Sequence, residues 1–347
     1  PPPAWVSEWL ATRTERTIRR AERQEKAKSD EDDSAAQQRR AAARESRVAA
    51  GLAELDRWLY DQLRAGLADL QSRAPGAFDT MAARMVDAQA PGVARMLRDA
   101  SSIAVSGDGW QSLLLDRLAR IHLLIQAYRR LAELAPETQA DVRASLGFTQ
   151  TQEEVLVGGV IRDRWVVVGQ IVEEEGHLMV QRSWLWGLQS GRPALVLAFS
   201  ATGQPLDRSL LVGALLDADL AFYPSAAPLR AVVGARSTAD EQAANAVALP
   251  FASLNEGLHA YATALASNPW IERMLLLVDA ARLARDGERW YVCDALDRAL
   301  PLSPRVGDPW RWLAIGANRP TALIAEWNGR SLMPLSLLLD QRITPLR

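Results

Sequence analysis

The sequence predicts an α+β protein. An N-terminal helical bundle is followed by a mainly antiparallel β domain, a further helical segment and a C-terminal β-meander or hairpin region. Changes in the hydrophobic period lead to this fold class. Apolar residues recur every three or four positions up to about residue 147, and then alternate every second position. The helical period returns near residue 238 and gives way to strand-like runs after residue 288.

On this basis we divide the 347 residues into five segments. They are a charged helical tether (1–50), a helical bundle (51–147), an antiparallel β domain (148–236), a helical segment (237–288) and a C-terminal β hairpin region (289–347). The tether is rich in Ala, Arg, Glu and Gln and has few large apolar residues, so it can bury little surface.

The bundle is predicted from leucines at helical spacing between Leu52 and Leu70 and from a second apolar series between Leu114 and Tyr128. Isolated helices are marginal in water, so these helices must pack together. Between them, Pro91 and Gly92 in "RMVDAQAPGVARML" would cost about 4 kcal/mol inside one helix. The stretch therefore predicts an elbow between two helices that share a core formed by Met85, Val86, Val93, Met96 and Leu97.

The β segments show alternation in three places. Trp165, Val167, Gly169 and Ile171 are predicted to share one face of a strand. In "LDADLAFY" the apolar face is predicted to hold Leu216, Ala218, Leu220 and Phe222, with Asp217 and Asp219 on the opposite face. Near the C-terminus, Asn328-Gly329 between two apolar runs predicts a type I′ hairpin.

Composition excludes several functional classes. The formal net charge of −2 gives no global field toward nucleic acid or anionic lipid. Both lysines, Lys26 and Lys28, lie in the tether, so the folded part cannot build a phosphate-loop lysine or a Schiff base. A single cysteine and the lack of a long apolar run predict a cytoplasmic chain without a membrane span.

Catalytic and metal-binding patterns are also lacking. His122, His177 and His259 are scattered along the chain, and Cys293 has no second cysteine with which to form a zinc cluster. The sequence contains no Gly-x-Ser-x-Gly elbow. We therefore predict no catalytic residue, no cofactor-binding residue and no metal ligand in this chain, and we expect that it is not an enzyme.

The candidate interaction surface combines arginines and tryptophans on two neighbouring predicted strands. It consists of Arg162, Arg164, Arg182, Trp184 and Trp186. Arg182 interrupts an otherwise apolar face, and aromatic residues together with Arg are typical of protein hot spots and of stacking platforms. The alternative is structural, with the tryptophans packed against helices and Arg182 paired with a carboxylate.

Six stretches resemble, in order, the region that follows the finger in bacterial SWIM zinc finger family proteins. They are "PPPAWVSEWL", "AARMVDAQAPGVARML", "LLDRLARIHLLIQAYRRL", "ASLGFTQTQEEVL", "RDRWVVVGQ" and "AFYPSAAPLRA". In that family a Cys-x-Cys…Cys-x-His finger precedes a Pro-Pro-x-Trp segment like Pro2 to Trp5. The four ligands are absent from this chain, so the resemblance implies zinc upstream of residue 1, in a finger that this chain lacks.

The resemblance also implies a non-catalytic adaptor. SWIM fingers are thought to mediate DNA binding or protein contacts, and bacterial members are often encoded beside MoxR-type AAA+ ATPases and von Willebrand A domain proteins. We therefore expect protein partners of these two kinds. Two alternatives stay open, namely a nucleic-acid-binding module and an enzyme with an unrecognised site.

Overall fold

A computed structural model describes residues 36–107, 109–175, 178–204, 206, 209–238, 248–306, 309–316 and 319–346. Most of the predicted tether, residues 1–35, lies outside this description. The described chain divides into two compact units, of which the first ends at Arg129 and the second begins at Arg130. The α+β fold class is confirmed, with a helical bundle followed by mostly antiparallel sheets.

The described part of the first unit, from residue 36 onward, contains four helices. They are α1 (36–65), α2 (Leu67–Asp87), α3 (Pro91–Ala104) and α4 (Trp110–Arg129). Their apolar faces form a core in which the largest fully buried side chains include Phe78, Met85, Leu97 and Ile121. Leu63 falls on the predicted apolar face of α1 but is 45% exposed, because α1 ends shortly after it at Gly66.

The elbow at Pro91 is confirmed. Helix α2 ends at Asp87, and Pro91 occupies the first turn of α3, where a missing amide hydrogen has no cost. A β-carbon added to Gly51 of α1 would lie 2.4 Å from that of Ala88, so the elbow packs directly on α1 at this glycine. One detail was wrong, because Val86 is 47% exposed while the neighbouring Met85 is buried.

The described part of the second unit begins with a short 3-10 helix (Leu131–Glu133) and two α-helices, and it contains eleven strands. Its helices are α5 (Pro136–Leu146), α6 (Gln152–Val157), α7 (Leu254–Ser267) and α8 (Trp310–Ile315). The strands are β1 (Ile161–Glu175), β2 (Leu178–Gly187), β3 (Pro193–Ala201), β4 (Leu215–Phe222), β5 (Arg230–Thr238), β6 (Met274–Asp286), β7 (Arg289–Cys293), β8 (Ala299–Pro301), β9 (Thr321–Trp327), β10 (Leu332–Leu339) and β11 (Arg342–Pro345). Capping boxes start α6 at Thr151 and α7 at Ser253.

The first five strands close into a barrel in the order β1-β2-β3-β5-β4. The predicted inward face of β4 is confirmed, since Leu216, Ala218 and Leu220 fill the interior. The predicted face of β1 is only half right. Trp165 and Val167 point inward, but the register shifts between Val167 and Gly169, so Ile171 packs on the outside.

The other six strands form an open sheet in the order β11-β10-β9-β6-β7-β8. Strand β6 corrects the prediction that residues 237–288 are helical. Helix α7 stops at Ser267, before Asn268-Pro269, and the following Leu- and Ala-rich run pairs with β9 and β7. Pairing on both edges of β6 outweighs the helix propensity of these residues, as tertiary context commonly does.

The C-terminal hairpin is present, but its turn differs from the predicted type. Leu332 pairs with Trp327, which leaves a four-residue loop in place of a two-residue type I′ turn. The side-chain oxygen of Asn328 accepts hydrogen bonds from the backbone amides of Arg330 and Ser331, both at 2.9 Å. This Asx-type turn competes with the tighter turn and extends the loop.

An apolar layer joins the outside of the barrel to the open sheet. It includes Val166, Val168 and Trp184 from the barrel and Ile324 and Leu335 from the sheet. The opposite face of the sheet is covered by a second cluster that includes residues of α7 and α8. The five candidate interaction residues lie on β1 and β2. One face of each of these strands points into the barrel, and the other points toward the open sheet or toward solvent.

Candidate functional site

The structure separates the five predicted interaction residues into two groups. Arg162 and Arg164 are exposed on β1, whereas Arg182 and Trp184 on β2 are 3% and 0% exposed and Trp186 is half-buried. The prediction of one accessible surface is therefore wrong for Arg182 and Trp184. The alternating face of β2 is apolar because it packs against the open sheet, and the sequence does not reveal that second layer.

Arg182 and Trp184 bind the same buried carboxylate. Arg182 donates from Nε and Nη2 to the two carboxylate oxygens of Glu326, both at 3.2 Å, and Trp184 Nε1 donates to Oε2 at 2.9 Å. Glu326 lies on β9 of the open sheet and is 4% exposed. The arrangement is the ion-paired alternative considered from the sequence, with a strand of the sheet in the place of a helix.

Further charges extend this pair to the surface. Glu173 accepts a hydrogen bond from Arg182 Nη2 at 3.0 Å, and Arg273 Nε lies 3.2 Å from Glu326 Oε1. Burial alone would raise the pKa of Glu173, but the charge and hydrogen bond of Arg182 outweigh it and lower that pKa. Likewise burial would lower the pKa of Arg182, yet Glu326 and Glu173 raise it. Both groups therefore stay ionised, which suits a structural link better than proton transfer.

Arg162 makes a separate set of contacts. Its guanidinium lies 2.8 Å from Asp217 and 3.3 Å from Asp219, and these two aspartates lie on the outer face of β4, as predicted. All three side chains are partly or largely accessible, so solvent screens this cluster.

Asp163 is a buried carboxylate that sequence reasoning missed. It is 3% exposed and accepts hydrogen bonds from Gln189 N at 3.0 Å, Ser190 N at 2.8 Å and Ser190 Oγ at 2.6 Å. Burial would raise its pKa, but these hydrogen bonds outweigh burial and lower it. Asp163 thus fixes the turn between β2 and β3, and the "LQSG" sequence of that turn is the local signal that could have suggested an acceptor.

The two described histidines and the cysteine do not converge. His122 Nδ1 lies 3.1 Å from Asp56, which also accepts a hydrogen bond from Arg129 at 2.7 Å in the first unit. Cys293 is buried on β7, His259 is exposed on α7, and His177 lies outside the described residues. Within the described part of the chain, no group of three or more His, Cys, Asp and Glu residues could hold a metal ion.

An exposed aromatic cluster was not predicted. Trp310 on α8 is 57% exposed and meets Trp290 of β7 edge to face, with ring centroids 5.7 Å apart. The Arg285 guanidinium of β6 lies 5.5 Å from the centroid of the Trp290 ring. We call these three residues the tryptophan surface. The two tryptophans are 20 positions apart in the sequence, so the fold alone brings them together.

Comparison with known proteins gives one match. Residues 43–146 match the family model of the SWIM-associated four-helix bundle domain, which confirms the resemblance to the region after a SWIM finger. No curated protein and no solved structure matches the chain. In the described residues, no helix is long and apolar enough to cross a membrane.

Proposed function

We propose that this chain is a non-catalytic adaptor that binds other proteins, because residues 43–146 match the family model of the SWIM-associated four-helix bundle domain. The tryptophan surface is the observation that carries the proposal. Trp and Arg are the residue types most enriched at the energetic centres of protein interfaces. The exposed Trp310, which packs edge to face with Trp290, presents a large apolar area with little rotamer freedom to lose on binding.

The environment of the other chemistry-bearing residues supports a non-catalytic role. Arg182, Glu326 and Asp163 are buried and hold together backbone turns or neighbouring strands. A general acid or base needs access to substrate and a pKa near the working pH. The ion pairs at Arg182 and the hydrogen bonds at Asp163 favour fixed ionisation of these two groups instead.

The partners that we propose are a MoxR-type AAA+ ATPase and a von Willebrand A domain protein. This proposal rests on the genes that are often found beside those of the family's bacterial members, and not on a contact in the fold. Zinc belongs to the proposed finger upstream of residue 1, and the chain itself needs no cofactor for the adaptor role.

The test is a titration of the purified chain against each partner from the same host. We expect Trp310→Ala to weaken binding about thirtyfold or more, since a truncated hot-spot residue costs about 2 kcal/mol or more. The matched control is Val157→Ala on α6, an exposed apolar residue outside the tryptophan surface, and it should bind like the unmodified chain. Equal affinity of Trp310→Ala and the unmodified chain would contradict the proposal.

The tryptophan surface also favours a second candidate, a single-stranded nucleic-acid module. Exposed aromatic rings with a nearby arginine stack bases without sequence preference. An oligonucleotide whose affinity falls steeply with salt, and is lost in Trp310→Ala, would support this candidate over the adaptor.

A further inference from the structure

The barrel has a weak seam between β3 and β5. These two strands run parallel and pair through Leu195 with Arg230 and through Val196 with Ala231. The other four neighbouring pairs in the barrel are antiparallel and pair over most of the shorter strand. The seam is thus two residues long in a strand that extends for nine.

Beyond Val196, β3 pairs with other described residues on one edge only. Residues 197–201 pair with β2, from Leu197 opposite Arg182 to Ala201 opposite Leu178. Leu195 donates its amide across the seam to the carbonyl of Leu229 at 2.7 Å. Backbone groups alternate along a strand, so the amides and carbonyls of Leu197 and Phe199 face the same edge as the amide of Leu195. They have no strand partner among the described residues.

Strand β5 presents a matching edge. The carbonyl of Arg230 accepts a hydrogen bond at 3.0 Å from the amide of Tyr223, which directly follows β4, so the backbone groups of Ala231 and Val233 face β3. Ala231 is used in the seam, and Val233 lies beyond the last paired residue. Beyond the seam, both edges therefore carry backbone groups that have no strand partner among the described residues, and we call the region between these two edges the wedge.

The open edge lacks the usual protection against pairing. Exposed strand edges are commonly blocked by charged residues, prolines or bulges. Beyond its first residue, Pro193, strand β3 contains no proline and no charged residue, and Phe199 is 55% exposed on it. An uncharged and partly apolar edge of this kind is suited to an apolar strand from outside.

Arg236 supplies a charge at the open end of the wedge. It lies on β5 opposite Ala218, which faces the barrel interior, so Arg236 lies on the same face. Arg236 is exposed and makes no ion pair within the described part of the chain. The nearby aspartates of β4 face outward and pair with Arg162.

We propose that an extended peptide from a partner protein docks in this wedge as an additional strand, antiparallel to both β3 and β5. This orientation places the N-terminal end of the docked segment at the open end, beside Arg236. The peptide therefore carries a carboxylate first, followed by alternating apolar residues that contact Phe199 outside and Val196 and Val233 inside. Main-chain hydrogen bonds supply affinity, as in other cases of strand addition.

The first experiment measures binding of a labelled Glu-Val-Thr-Val-Ile-Val peptide to the whole chain. We expect a peptide with Lys in the first position to bind about fivefold more weakly, because it replaces attraction to Arg236 by repulsion. Proline at the third and fifth positions should abolish binding, since it removes main-chain amides. The variant Arg236→Glu should reverse the preference between the Glu and Lys peptides. Because the side chain at this position is exposed, the substitution should leave the folding of the chain unaffected.

Hydrogen exchange then locates the contact. The amides of Leu197 and Phe199 should exchange quickly in the free chain and slowly with the Glu peptide. Three results would overturn the proposal: no binding of the peptide, binding that proline does not disturb, or slow exchange of these amides in the free chain. The last would mean that another part of the chain or a second copy already occupies the edge. Trp310→Ala should leave peptide binding unchanged. The peptide-docking proposal and the adaptor proposal can therefore be refuted independently.

Discussion

Replacing Glu326 by Gln tests the buried charge network most severely. The change keeps the shape of the side chain and removes its negative charge from a site that is 4% exposed. Arg182, 3% exposed, then retains Glu173 as its nearest ionised partner at 3.0 Å. Removing one partner of a buried ion pair costs about 3–5 kcal/mol, and the remaining Glu173 places the expected loss near 3 kcal/mol.

Urea unfolding followed by tryptophan fluorescence measures this loss directly. In thermal unfolding of a unit of roughly 200 residues, 1 kcal/mol shifts the unfolding temperature by about 2–4 °C. A loss near 3 kcal/mol should therefore lower the unfolding temperature by about 6–12 °C. The exposed variant Arg162→Met is the matched control and should leave the unfolding midpoint unchanged. A double-mutant cycle with Arg182→Met should give a coupling energy of about 1 kcal/mol or more.

Two outcomes would refute this reasoning. A loss below about 0.5 kcal/mol for Glu326→Gln would mean that the network is effectively solvated. Additive effects of the Arg182 and Glu326 substitutions would mean that the two groups do not stabilise one another, whatever the distance between them.

Three further predictions concern stability. Gly169→Ala should destabilise the chain by about 1–3 kcal/mol, because the new β-carbon would lie 2.6 Å from the β-carbon of Leu335 on β10. Calorimetry measures this loss. Gly51→Ala should also destabilise the chain, because the new β-carbon would lie 2.4 Å from that of Ala88. By contrast, the β-carbon of Gly76→Ala meets no atom within 4 Å, so this substitution should stabilise its helix by about 0.5–1 kcal/mol in the same urea assay. The pKa of Asp163 is lowered on folding, so the stability it contributes is present above the unfolded pKa near 4 and is lost as the pH falls through the folded value. In Asp163→Asn the urea midpoint should depend less on pH below about 4 than in the unmodified chain, and an identical pH profile would contradict the assignment.

Local signals predicted the parts of the fold that depend on neighbours in sequence. Pro91 marks the start of α3 because its fixed φ suits the first turn of a helix. The alternation in "LDADLAFY" placed Leu216 and Leu220 inside the barrel because β4 keeps its regular period up to there. These signals need no knowledge of what the element packs against.

Non-local pairing decided the parts that the sequence did not reveal. Residues 274–286 carry helix-forming side chains, yet β7 and β9 hold them as a strand. The bulge after Val167 moved Ile171 to the other face of β1, and no residue pattern announces it. Arg182 and Trp184 resembled a surface pair because Glu326, their shared partner, lies 142 or more residues away in the chain.

The most direct test of the account is a calorimetric titration of the chain with a purified MoxR-type ATPase and with a von Willebrand A domain protein from the same host. We predict that at least one of them binds, and that Trp310→Ala weakens this binding about thirtyfold or more while Val157→Ala does not. No binding of either protein, or unchanged binding by Trp310→Ala, would contradict the claim that the chain is an adaptor that acts through its tryptophan surface.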